Sequence, residues 1–117
     1  MRPTRGCLLF FLGAAAAAWG CGSDVDSRPV SWEYIYAAIV VPNCATSGCH
    51  SALTKTKTLN FNDKEMARIL FSPDTGLDIM GKIEGTGVGL RMPPDQPLPQ
   101  ADIDLIGKWI AAGGPNN

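Results

Sequence analysis

The apolar positions of the chain recur at helical rather than strand spacing. Trp32, Ile35, Tyr36, Ile39 and Val40 fall on one stripe, and Ser31 stands ahead of them with a hydroxyl able to cap the first turn. This predicts a helix over residues 31–41, closed by Pro42, which has no N–H to continue the ladder. A second helix is expected from Asn62, where Glu65 completes a capping box, with Met66, Ile69 and Leu70 as its buried face and Ser72-Pro73 as its stop. Leu77, Met80 and Ile83 predict a short third helix beginning at Asp74 or Thr75, which the glycines of residues 85–89 cannot continue. Residues 100–112 form the last predicted helix. Ile103, Ile106 and Ile110 lie on its stripe, Leu105, Trp109 and Ala112 beside it, and Gly113-Gly114-Pro115 ends it. No stretch alternates well enough to be a strand, so the expected fold class is all-α, about four short helices. Residues 85–89 are no phosphate loop, because neither a strand before them nor a helix after them is predicted.

The N-terminus follows a different pattern. Arg2 and Arg5 precede an uncharged apolar run over residues 7–19, and small Gly20 leads into Cys21. This is the order of a secretory signal, and the run is short of the roughly 20 residues that span a bilayer. Ala18-Trp19-Gly20-Cys21 resembles a bacterial lipobox, which would make Cys21 the lipidated first residue of the mature chain. The expected organisation is a lipoprotein-type signal over residues 1–20, a flexible tether over 21–30, rich in Ser, Asp and Gly, and a folded domain over 31–114. Ordinary soluble secretion is the alternative to an anchor through two acyl chains.

Cleavage changes the charge. Loss of Arg2 and Arg5 leaves eight of the ten basic residues against eleven acidic ones, a net charge of about −3. No basic patch remains, which argues against nucleic acid as a partner. A mildly acidic surface suits a partner with a basic docking face.

The candidate chemistry lies in Cys44-Ala45-Thr46-Ser47-Gly48-Cys49-His50, which contains the single histidine of the chain. A Cys pair ending directly in Cys-His is the attachment pattern of c-type haem, in which two thiols add to the porphyrin vinyls and the imidazole ligates iron. The usual gap between the cysteines is about two residues; here four intervene. Thiols so spaced lie more than a helical turn apart, so residues 45–48 must bulge outward, with Gly48 supplying backbone freedom before Cys49. Two thioethers, one through Cys49 alone, or a Cys44–Cys49 disulfide without haem all remain open.

Haem iron held by His and Met is typical of electron-transfer cytochromes. Met66 and Met80 sit at core spacing, whereas Met92 opens the stiff loop of residues 92–99, braced by Pro93, Pro94, Pro97 and Pro99. Such bracing holds a weak thioether donor at little entropic cost. Trp32, Tyr36, Leu90 and Trp109 are the expected pocket walls, and Arg91 is a candidate partner for a haem propionate.

Together these features resemble small c-type cytochrome domains of predicted bacterial lipoproteins. The resemblance runs through Pro42-Asn43-Cys44, Gly48-Cys49-His50-Ser51, Ser72-Pro73-Asp74 and Arg91-Met92-Pro93-Pro94 to the closing helix with Trp109, most of residues 31–114. It implies a cytochrome c-like fold around one covalently bound haem, thioethers from Cys44 and Cys49, proximal ligation by His50 and distal ligation by Met92. Members of this group often carry the longer gap. The implied role is a monomeric electron carrier rather than an enzyme, held in the periplasm or at the cell surface by its lipid anchor and exchanging electrons with redox proteins.

Other chemistries are less well served. A zinc site lacks further Cys or His ligands once Cys44, Cys49 and His50 are used. A Cys-His nucleophile needs an orienting third group, which the pattern does not supply. A peroxidase wants an open or His-supplied distal position. The main rival is a non-haem lipoprotein interaction domain with a Cys44–Cys49 disulfide.

Overall fold

The computed structural model describes residues 25–54 and 58–117. The segments expected to be a signal and a lipobox, with Cys7 and Cys21, and the first residues of the expected tether lie outside the described residues. Every regular element among the described residues is helical, as expected for an all-α chain. No described helix is long and apolar enough to cross a membrane.

The first helix is one rod in three parts: α1 (Trp32–Ile35), a π-helical stretch (Tyr36–Val40) and α2 (Val41–Asn43). Ser31 caps it as expected, its Oγ accepting the Tyr34 N–H at 3.3 Å. Pro42 does not close it, contrary to the sequence expectation, but lies inside the last turn. The π stretch gives the physical reason. Proline lacks the N–H of a regular turn and crowds the carbonyl four residues earlier. Widening the preceding turn, with the Val41 N–H reaching back to the Tyr36 carbonyl, lets the rod continue to Cys44.

The second expected helix begins one residue late. Its cap is Asp63, which accepts from the Met66 N–H at 2.8 Å, and α3 spans Lys64–Phe71. The face packed on the core is that of Ala67 and Phe71, and Met66 and Ile69 are nearly half exposed. Glu65 pairs with Arg68 instead of closing a capping box. The third helix is also displaced: residues Pro73–Thr75 form a separate 3-10 turn, and α4 (Ile79–Glu84) starts from Asp78, whose carboxylate accepts the Gly81 N–H. Leu77 is therefore in a linker, not on a helical stripe, and it is exposed. The last helix, α5 (Gln100–Ala111), buries Ile103, Leu105, Ile106 and Trp109, while Ala112 is exposed.

The core forms where the first helix and α5 meet. Trp32, Ile35, Ile39 and Val40 pack with Leu105, Ile106 and Trp109, all at most 1 % exposed. The Trp32 and Trp109 ring centroids lie 4.9 Å apart, a contact worth about 0.5–1.5 kcal/mol beyond the area it buries. Both indoles are satisfied, Trp32 Nε1–H by the Lys64 carbonyl and Trp109 Nε1–H by that of Pro115. Asn117 closes the structure on itself by accepting the Trp32 and Glu33 N–H groups at the start of α1. Within residues 21–30, Arg28 pairs with Asp26 and with Asp102 in the first turn of α5, so the described end of the tether is tied to the domain.

Candidate functional site

Beside this core lies a cavity of about 460 Å³, within the roughly 300–1,000 Å³ usual for small-molecule sites. Its wall includes Cys44, Cys49, His50 and Met92 together, four residues that the sequence separates by up to 48 positions. Leu59, Phe61, Phe71, Ile79 and Ile83 also line it, with Leu77, Val88, Pro93 and Pro94, and Asp78 and Lys82 are the charged residues in it. The chamber is therefore mainly apolar, with sulfur and imidazole donors set into it.

The first helix delivers Cys44 at its C-terminal end, where the Cys44 N–H still donates to Val40 at 2.8 Å. The His50 N–H then donates back to the Cys44 carbonyl at 3.0 Å, closing residues 44–50 into a ring. A second bond, Cys49 N–H to the Thr46 carbonyl, tightens it. This is how a four-residue gap is accommodated: Thr46, Ser47 and Gly48 are exposed while both cysteines return to the cavity. The bulge is narrower than expected, because Ala45 turns inward and is buried in the core. Burial pushes the Cys44 thiol up to about 12, with the nearby Cys49 adding a smaller contribution. Cys44 and Cys49 both stand as thiols.

Asn62, expected as a helix cap, has a different task. Its side chain accepts from the Ala52 N–H and donates to the Ala45 carbonyl, tying the two sides of the Cys loop together. The sequence signal for such a brace, an Asn beside an apolar anchor, was indistinguishable from a capping residue. The next residue back, Phe61, carries the other half of the support. Its N–H donates to the His50 carbonyl at 2.7 Å, and its ring lies 4.8 Å from the imidazole.

Met92 reaches the cavity by a route the prolines alone do not explain. Residues 85–92 fold back on α4, with the Gly87 N–H donating to Gly81 and the Met92 N–H to Lys82, both at 2.9 Å. Lys82 Nζ also donates to the Val88 carbonyl. Gly85 makes the reversal at φ +77°, and the approach at Gly87 is so close that a Cβ there would sit 3.0 Å from the Gly81 backbone. The Met92–Pro93 peptide is cis.

The expected pocket walls are corrected. Trp32 and Trp109 are fully buried core residues, Tyr36 is half-buried with its hydroxyl donating to the Phe61 and Asn62 carbonyls, and Leu90 is 72 % exposed. None of the four lines the cavity; Leu59, Phe61, Phe71 and Ile83 take that place. Aromatic bulk near the motif suggested the former set, yet the tryptophans are consumed in joining the first helix to α5. Arg91 is not in the wall either, since its side-chain carbons pack over Gly85. Of the other methionines, Met80 packs against Gly107 of α5 and Met66 is 48 % exposed, and neither lines the cavity.

The donor set can be tested against a haem on these observations. Two thiols, an imidazole and a thioether share one chamber whose other surface is mostly hydrocarbon, which fits a flat apolar macrocycle holding a single metal. Among the described residues no three His, Cys, Asp or Glu side chains form a metal-holding group. No family model, curated protein or solved structure matches the chain.

Proposed function

We infer that the chain is a monohaem c-type cytochrome that carries single electrons in the cell envelope, with a cytochrome c-like fold. The observation that carries this reading is that both thiols of the Cys-x4-Cys-His motif, its imidazole and the thioether of Met92 lie in the wall of one apolar cavity. Cys44 and Cys49 would hold the group covalently, and His50 and Met92 would ligate its iron. A bound haem supplies a one-electron iron couple.

The chain's own residues do the rest. The ring closed between His50 and Cys44 keeps the two sulfurs and the imidazole on one side of the chamber. The bond from Met92 to Lys82 brings the thioether from α4. Leu59, Phe61, Phe71 and Ile83 exclude water, and a dry pocket with a sulfur ligand favours the reduced, less charged state and so a higher potential. With His50 and Met92 both given to holding the iron, the group would pass electrons rather than bind a substrate. Lipidation at Cys21 would keep the carrier at a membrane, where a basic redox protein can meet its acidic surface.

Spectroelectrochemical titration of the chain produced with a c-type haem maturation system tests this role. A reversible single transition that follows a one-electron Nernst curve is expected. A colourless chain in which Cys44 and Cys49 are oxidised to a disulfide contradicts it and supports the interaction-domain reading.

A further inference from the structure

The imidazole of His50 is backed by a continuous line of rings. His50 and Phe61 have centroids 4.8 Å apart at an interplanar angle of 42°, Phe61 and Phe71 stand 5.6 Å apart edge-on at 71°, Phe71 lies 5.7 Å from Trp32, and Trp32 lies 4.9 Å from Trp109. Phe61 is thus the link between an imidazole in the cavity wall and the rigid centre of the core. Backbone bonds and burial hold it in place where it faces away from the cavity. The ring is 5 % exposed, its N–H holds the His50 carbonyl, and its carbonyl accepts from the Tyr36 hydroxyl.

We propose that Phe61 is a positioning residue that holds the His50 imidazole plane at one tilt toward the cavity. The proposal deepens the haem reading by naming what orients the proximal ligand, and it rests on that reading for its consequence. The physical basis is that backbone bonding fixes where His50 starts but leaves rotation about its side-chain torsions. A neighbouring ring held by the core restricts that freedom. Aromatic contacts of this separation bias one ring orientation by several-fold. The orientation of an axial imidazole sets the direction of its π overlap with iron, so the consequence is electronic as well as structural.

The test compares the full chain with Phe61→Leu, which keeps apolar bulk but removes the ring, and Phe61→Tyr, which keeps the ring. In the haem-free thiol form, NMR should show the His50 carbon-bound ring protons shifted by the Phe61 ring current, the shift disappearing in Phe61→Leu and returning in Phe61→Tyr. In the haem-loaded chain the spread of paramagnetically shifted haem methyl resonances should change in Phe61→Leu and recover in Phe61→Tyr, with His50 still bound. Identical His50 proton shifts in all three haem-free chains, or for a chain that folds only with haem an identical methyl spread, overturn the proposal. Failure to attach haem would defeat the functional reading while leaving the haem-free comparison decisive for Phe61. Phe71→Leu, which removes the edge-on support behind Phe61, should move the same resonances in the same direction by less.

Discussion

The Cys44 thiol provides a quantitative handle on the cavity before any haem is attached. Burial raises it from 9.0 to about 12. At pH 8 the reactive thiolate is then about 10⁻⁴ of the population, against about 10⁻¹ for the same thiol in an unfolded chain, a difference of about 10³ in alkylation rate. The assay is iodoacetamide labelling of the folded and urea-denatured thiol form at pH 8, with the Cys44 peptide followed by mass spectrometry. The stability consequence has a definite sign. Folding that raises the pKa of an acid stabilises the protonated native state, fully so below pH 9, and the contribution is lost as pH climbs through the window from 9 to about 12. At about 1.4 kcal/mol per pH unit the loss amounts to about 4 kcal/mol, and Cys44→Ala should abolish that alkaline decline. A folded chain whose Cys44 reacts within tenfold of the denatured rate would refute a dry wall at this position. Thioether formation removes the titrating proton, so the haem-loaded chain should show neither the labelling nor this alkaline loss.

Further expectations come from other parts of the molecule. In the haem-loaded chain Met92→Ala should abolish the weak Fe–S charge-transfer absorption and lower the potential, while Met80→Ala, which changes packing against Gly107, should keep the band. Trp109→Ala removes the Trp32–Trp109 ring contact between the first helix and α5 and should cost about 3–5 kcal/mol in urea unfolding. Gly85→Ala forces a side chain into φ +77° and against Arg91 at 3.2 Å, so it should destabilise by about 1–2 kcal/mol and weaken Met92 ligation, read as loss of the same absorption band.

The outer helices were legible because each carries a long apolar stripe with a clear signal at one end. Ser31 caps the first and Gly113 follows the last, and the stripes of Trp32 to Val40 and Ile103 to Trp109 bury as their spacing implied. The middle of the chain was harder for a physical reason. The core takes Ala67 and Phe71 rather than Met66 and Ile69, and Asn62 and Asp63 are adjacent residues of equal capping ability, so local pattern does not choose the cap. Only the long-range demand on the Asn62 side chain, from Ala45 and Ala52, decides it. Asp78 likewise displaces Asp74 and Thr75 as a helix start. Pro42 misled in the same way, since the π stretch that accommodates it has no distinct sequence signature.

The candidate donors were legible by type and spacing, and their meeting in one cavity was not. Cys44, Cys49 and His50 are local, but Met92 arrives through bonds from Gly87 and Met92 to α4, which no local pattern encodes. The cavity walls were missed because large aromatics near the motif look alike in sequence. The structure divides them by role, giving Trp32 and Trp109 to the inter-helix core and Phe61 and Phe71 to the chamber.

The central claim is that Cys44 and Cys49 carry a haem covalently. Its most direct measurement is the pyridine haemochrome spectrum of the chain after co-expression with a c-type maturation system, acid-acetone extraction and denaturing electrophoresis. The account predicts haem absorbance that stays with the protein band, with the two-thioether α-band position in the intact chain and a red-shifted one when Cys44→Ala leaves a single bond. Colour extracted completely into the solvent, or no colour at all, would contradict it.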